Sequence, residues 1–259
     1  MINLSYSVAG FAVGAIVGLT GVGGGSLMTP LLVLGFGVPA VTAVGTDLLY
    51  AGITKAGGAV SHGRKGHVDW RVTALLAAGS VPGTALAIGA LSALPPASPA
   101  TRLLVSTSLG IMLLLTAFAL LYRAKLLAWA QSRGDRAWLA RHRSGATIAT
   151  GALIGVAISF SSVGAGAVGV TALVLLFPLL STVRIVGTDI AHAVPITLLA
   201  GLGYAALGHV DYWMLASLLV GSLPGILLGS HLAPRIPERA LRQSLAAVLL
   251  LAGGKLVLH

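Results

Sequence analysis

Val44-Gly45-Thr46-Asp47 recurs as Val186-Gly187-Thr188-Asp189. Gly66-His67-Val68-Asp69 recurs as Gly208-His209-Val210-Asp211, and Gly79-Ser80-Val81-Pro82-Gly83 as Gly221-Ser222-Leu223-Pro224-Gly225. All three pairs sit at one offset, 142 residues. Unrelated short motifs do not share an offset by chance, so the chain is an internal duplication. Upstream, Gly21-Val22-Gly23-Gly24-Gly25 faces Ser162-Val163-Gly164-Ala165-Gly166 with a slip of one residue.

The residues between these motifs are overwhelmingly apolar. Of 259 residues, 56% are hydrophobic and 8% charged, against roughly 25% charged in an average soluble domain. So few charges cannot cover a water-facing surface, and so much apolar surface does not stay disordered. An all-α polytopic integral membrane protein remains. The absence of Cys excludes disulfides, thiolate metal sites and redox work. The net charge of +10 reads as positive-inside topology and not as a nucleic-acid surface, because most basic residues sit in connecting segments. Residues 1–46 carry no charge, so no basic n-region of a signal peptide is expected there.

Ten apolar segments follow, at about 4–20, 26–36, 40–61, 71–94, 101–122, 146–161, 167–180, 183–207, 212–233 and 240–258. A crossing helix needs about 20 apolar residues. Segments 26–36 and 167–180 are shorter and follow glycine-rich breaks, so they are expected to be half-helices or re-entrant pieces. The organisation expected is a first transmembrane repeat over 1–122, a basic cytoplasmic linker over 123–144 and a second repeat over 145–259. The linker carries Arg123, Lys125, Arg133, Arg136, Arg141 and Arg143 against Asp135, and reads as a solvated loop or as a short amphipathic helix on anionic lipid around Leu126 to Leu139. Loop charge suggests that the repeats are inverted. The 62–71 loop has Arg64, Lys65 and Arg71 where 204–213 has none, and 95–100 has none where 234–242 has Arg235, Arg239 and Arg242. Both termini are then outside, with an odd number of crossings per repeat.

The glycine-rich breaks are the first candidates for chemistry. Irregular backbone at membrane depth is tolerated inside protein or beside a watery cavity. A helix starting at Ser26, after Gly23, Gly24 and Gly25, would aim unpaired N–H groups at a midplane anion, and the stretch with Ser162, Gly164 and Gly166 would do the same from the other half. Glycine also serves close helix packing, and Gly14 and Gly18 fit that use. Neither stretch is a dinucleotide or Walker motif.

Charged and polar residues inside the spans come next. Lys55 at membrane depth costs ~2.5–3.5 kcal/mol on insertion scales, so it either attracts the anion, exchanges partners with Asp47 or snorkels to a helix end. Asp47 and Asp189 read as coupling carboxylates, as helix caps or as clamps on the glycine-rich loops. Thr46 and Thr188 offer hydroxyls to a ligand or to the backbone. His192, three residues after Asp189 and equivalent to Tyr50, reads as a proton carrier or as a hydrogen-bonded packing residue. Arg184 reads as a helix-end anchor or part of an anion path. The Gly-His-Val-Asp turns, with Trp70 and Tyr212-Trp213 after them, read as turn, cap and interfacial belt, and no metal site is expected. Pro82 and Pro224 should kink their segments, and His231 reads as interfacial.

Gly18-Leu19-Thr20-Gly21-Val22-Gly23-Gly24-Gly25-Ser26, then Pro30, then Ala43-Val44-Gly45-Thr46-Asp47 resemble the first-repeat signature of the TauE/SafE family, also called the sulfite exporter or toluene-sulfonate uptake permease family. The second Gly-Thr-Asp and the Gly-His-Val-Asp turns match it too, and the resemblance covers essentially the whole chain. It departs at Ser161-Ser162-Val163-Gly164-Ala165-Gly166, where the family has a fuller glycine run. The resemblance implies a duplicated, cofactor-independent transporter of sulfur oxyanions or organosulfonates such as sulfite and sulfoacetate, often exported. The expectation is therefore a multi-pass secondary transporter in the inner (plasma) membrane, not an enzyme. It works by alternating access, with a small anionic substrate, lipid around it, protons as candidate coupling ion and a homo-oligomer as a possible assembly. An anion channel or an uptake permease for another small anion is the rival.

Overall fold

A computed structural model describes residues 2–20, 25–95, 98–133, 137–164, 166–232 and 238–258. Gly23 and Gly24 lie outside the described residues. Among those described there is no strand. The helices are α1 (Leu4–Thr20), α2 (Gly25–Pro30, continued by a π-helical turn, Leu31–Gly35), α3 (Ala40–Arg64), α4 (Trp70–Ser92), α5 (Pro99–Arg133), α6 (Ala137–Ser161), α7 (Ala167–Leu176), α8 (Thr182–Ala206), α9 (Tyr212–Leu232) and α10 (Glu238–Leu258). Six of them, α4, α5, α6, α8, α9 and α10, are long and apolar enough to cross a membrane. α7, with its 10 residues, rises only ~15 Å.

The helices run further than the apolar segments do. α5 continues to Arg133 and α6 begins at Ala137, so most of the basic 123–144 stretch is helical. No Gly or Pro lies between Ile111 and Arg133, and Lys and Arg are good helix formers, so charge alone does not end the helix.

The repeats interlock. α1 of the first repeat packs along α9 of the second, and α6 of the second packs along α4 of the first. Glycines set both contacts. A Cβ on Gly14 would stand 2.5 Å from the Ser222 carbonyl oxygen, and one on Gly83 would stand 2.6 Å from that of Ala152. Gly10 meets Leu218 and Gly221 meets Ser7 in the same way, and Gly151 meets Leu76. Backbone lies directly on backbone in both pairs, the small-residue packing that lets helices associate where lipid offers no hydrophobic drive.

α3 and α8 cross at the centre and run antiparallel: Gly45 faces Tyr204, Gly52 faces Leu198 and Gly58 faces Ile190. Around them lie three buried clusters. Val44, Leu48, Ile158, Ile196 and Tyr204 form one; Leu76, Leu173 and Ile185 belong to a second; Met28, Leu32, Leu109, Leu113 and Leu218 belong to the third. A cavity of about 440 Å³ lies among α1, α2 and α10, lined by apolar side chains including Val13, Leu27, Leu31 and Ala252. It offers an anion no donor.

Candidate functional site

The Gly-Thr-Asp motif is where each repeat meets the other. Gly45 gives passage to the Gly-His-Val-Asp turn of the second repeat, because a Cβ there would stand 2.6 Å from the His209 carbonyl oxygen. Gly187 meets the His67 carbonyl in the same way. One residue on, the Asp211 backbone N–H donates to Thr46 Oγ1 at 3.1 Å, and the Asp69 N–H donates to Thr188 Oγ1 at 2.9 Å. The two turn aspartates cap their helices: Val72 N–H donates to Asp69 Oδ1 at 3.1 Å and Met214 N–H to Asp211 Oδ1 at 2.9 Å. These turns are therefore caps. Arg184 Nη2 lies 3.6 Å from Asp69 Oδ2 with both side chains partly exposed, which puts it at a helix end. Trp70, Tyr212 and Trp213 are exposed. Thr46 and Thr188, named above as candidate substrate ligands, have their oxygens engaged by backbone.

One further residue on, each chain presents a carboxylate to the interior. Asp47 and Asp189 lie about two turns inside α3 and α8 and are buried. That depth lies beyond the first turn, where a cap would sit, and each carboxylate reaches a short helix. Asp47 accepts from Thr29 Oγ1 of α2. Ser162, at the break between α6 and α7, acts on the same carboxylate, although Asp47 Oδ1 and Ser162 Oγ have no hydrogen-bond partner of normal geometry among the described residues. Asp189 accepts from the Gly166 backbone N–H, and its Oδ1 lies where a Cβ on Gly169 would be. The positive end of α7 thus already faces an anion, one that the protein supplies.

The break that makes this possible is built locally. Ser162 takes a left-handed conformation at φ 57°, and Gly164 and Gly166 sit at φ 129° and 124°. Conformations of this kind favour glycine. The Ser161 hydroxyl donates to the Ala157 carbonyl at 2.6 Å and accepts the Val163 N–H at 3.1 Å, which closes the end of α6. α7 then starts anew, with the Val170 N–H on the Gly166 carbonyl at 2.8 Å. Gly25 opens α2 and Ser26 is buried in its first turn.

Lys55 completes the centre. It is half-buried on α3 and interacts electrostatically with Asp189 and with Asp47. Its equivalent in the second repeat is Thr197, which donates to the Ala193 carbonyl at 2.8 Å. His192 is buried with Nε2 2.7 Å from Ser80 Oγ. Its equivalent, Tyr50, lies beside Ser222, the equivalent of Ser80. The histidine therefore holds α8 to α4, whereas the buried Tyr50 hydroxyl has no hydrogen-bond partner among the described residues. The reading of the sequence passed over Thr29, Gly169 and Ser80. Thr29 had a signal: it is a hydroxyl within an apolar half-helix that otherwise carries no polar side chain after Ser26.

The chain matches the family model described as sulfite exporter TauE/SafE over residues 6–256. It is 38% identical over 255 residues to the "Probable membrane transporter protein YjnA" of Bacillus subtilis, covering 98% of this chain and 100% of that one. It is 28% identical over 246 residues to the "Probable membrane transporter protein YdhB" of the same organism, covering 94% and 95%. No solved structure matches. With several membrane-spanning helices and a match over nearly its whole length, the chain is a multi-pass membrane transporter of the sulfite exporter TauE/SafE family.

Proposed function

We propose that the protein is a secondary transporter that exports a small sulfur-containing anion, sulfite or an organosulfonate, across the cytoplasmic membrane by alternating access. The observation that carries the reading is the anion already held at the start of α7: the Asp189 carboxylate on the Gly166 N–H, with Lys55 acting on it. Sulfite and sulfonates resemble a carboxylate in presenting acceptor oxygens and no strong donor. When Asp189 turns away, the same amide, the Ser162 hydroxyl and Lys55 are donors for the substrate. The start of α2, at Gly25 and Ser26, serves the equivalent place in the first repeat.

The antiparallel packing of the equivalent helices α3 and α8 supports inverted repeats, because it requires the axis relating them to be perpendicular to their length. The short α2 and α7 then act as re-entrant half-helices meeting near the midplane. The family's description as a sulfite exporter supports the substrate class and the outward direction.

The test is charge movement in proteoliposomes after concentration jumps of sulfite, sulfoacetate, thiosulfate, sulfate and chloride, with counterflow of each anion measured alongside. A saturable response selective for one sulfur anion supports the carrier. Counterflow that fails to saturate, with currents far above carrier turnover, replaces it with a channel. Selectivity for chloride removes the substrate class.

A further inference from the structure

Among the described residues the central charges do not balance. Two buried carboxylates, Asp47 and Asp189, face one ammonium, that of Lys55. The duplication supplied the aspartate twice and the lysine once, since Thr197 stands where a second lysine would be and donates its hydroxyl to its own helix. A charge held away from water is costly unless it is paired, so one carboxylate needs a further positive charge.

The surroundings say which one. Asp189 has Lys55 and a backbone amide at the positive end of α7. Asp47 has the Thr29 hydroxyl and the neighbouring Ser162 hydroxyl, both neutral. Asp47 Oδ1 and Ser162 Oγ are buried without a hydrogen-bond partner among the described residues. Among the described residues, Tyr50 and Lys55 of α3 face Asp47, and Asp189 of α8 shares Lys55 with it. Tyr50 lies beside Ser222 of α9 and His192 is tied to Ser80 of α4. α2 and the α6–α7 break bring hydroxyls and amides.

We infer that Asp47 is the binding site of one exchangeable monovalent cation, a proton or a sodium ion, and that this cation is the coupling ion of transport. A proton adds to Asp47 Oδ1 and neutralises it. A sodium ion takes Asp47 Oδ1 with the hydroxyl oxygens of Ser162 and Thr29, an all-oxygen set suited to a hard cation. In either case the centre becomes neutral, with Lys55 balancing Asp189, before an anion enters. The cation site stands on the charge count; only what it is coupled to rests on the proposed anion transport.

The test needs no substrate. The purified full-length protein is titrated by infrared difference spectroscopy, which reads protonated carboxyl groups, and radioactive sodium binding is measured on the same samples. Asp47→Asn should abolish either one protonated-carboxyl band or the saturable sodium binding. A band that titrates away identifies the proton; sodium binding that displaces the band identifies sodium. Lys55→Thr installs the second repeat's residue and should double the band or the sodium stoichiometry, because both carboxylates then need a cation. This second variant keeps the test decisive if Asp47→Asn fails to fold. Wild type and Asp47→Asn with identical bands and identical sodium binding overturn the inference, as does Lys55→Thr with wild-type stoichiometry. Sulfite counterflow on the same preparations judges the proposed substrate by itself: its absence, with the Asp47 band intact, leaves the cation site standing and removes the anion.

Discussion

Thr46 Oγ1 accepts the backbone N–H of Asp211 at 3.1 Å, and 142 residues along, the same bond joins Thr188 to Asp69 at 2.9 Å. Each bond crosses from one repeat to the other. Each ends on the residue that caps a long helix, so the crossing helix of one repeat fixes where α4 or α9 of the other begins. The adjoining glycines make the approach possible and the adjoining aspartates turn inward to α2 and α7. Three consecutive residues thus connect the repeat interface to the centre, which explains why Gly-Thr-Asp and Gly-His-Val-Asp recur together.

Replacing either threonine by valine keeps the shape and leaves a partly buried N–H unpaired. An orphaned buried donor costs about 1–3 kcal/mol. Thr46→Val and Thr188→Val should each lower the thermal unfolding midpoint in detergent, by similar amounts. Because the sites are separate, the double variant should show close to the sum. The concentration of anion giving half-maximal flux should not move. A shift in that concentration at unchanged thermal stability would return the hydroxyls to the ligand.

The element pattern was legible in the sequence because membrane helices are long apolar runs. Each of the ten apolar segments overlaps one of the ten α-helices found among the described residues, and the second glycine-containing break does precede the short α7, while the first lies outside the described residues. The ends were less legible. α5 runs on to Arg133 because neither apolarity nor charge decides where a helix stops, whereas the next glycine, Gly134, comes only after it. The partners were not legible at all. Nothing local in Asp47 names Thr29, nothing in His192 names Ser80, and nothing in Gly169 names the Asp189 carboxylate, because these are contacts between separate helices, whose mutual placement no local pattern records. The duplication was the one long-range signal available. It revealed equivalence between residues but not that equivalent residues exchange partners.

His192 tests the difference between a packing group and a proton carrier. Its Nε2 is satisfied by Ser80 at 2.7 Å in a buried place. Ser80→Ala removes that partner and should destabilise the protein by about 1–3 kcal/mol. The pH profile of anion flux should keep its shape, with the amplitude following the amount of folded protein. A displaced profile at unchanged stability would put His192 on the proton path.

Glycines divide into those that touch a neighbour and those that do not, and the division predicts opposite signs. A Cβ on Gly221 meets the Ser7 backbone between α9 and α1, whereas one on Gly89 of α4 meets nothing within 4 Å. Gly221→Ala must push two helices apart and should lower the unfolding midpoint sharply, since overpacking costs ~1–3 kcal/mol or more when backbone is the obstacle. Gly89→Ala should leave the midpoint unchanged or raise it, by up to ~1 kcal/mol of helix propensity. Unfolding midpoints of the two variants, measured side by side, check this; equal losses would mean that close packing does not set the α1–α9 contact.

Gly169 carries a sharper version of the same argument, because its obstacle is a functional side chain. The space a Cβ would need there is held by the Asp189 carboxylate, with Cγ 3.2 Å away behind Oδ1, while the nearest atom of another residue, the Gly164 carbonyl oxygen, is 3.5 Å away at ordinary contact. Gly169→Ala should displace the carboxylate from α7, abolish anion flux and destabilise the protein by ~1–3 kcal/mol. Asp189→Ala empties the space. In that background the same Gly169→Ala change meets no obstacle and gains helix propensity, up to ~1 kcal/mol, so its effect on the unfolding midpoint should reverse sign. Two residues in contact are coupled in this way and two independent ones are not. Flux should stay absent in the double variant, because stability is restored without the carboxylate. If Gly169→Ala destabilises equally with and without Asp189, the two residues are not in contact, and the start of α7 does not hold the anion on which the proposed site depends.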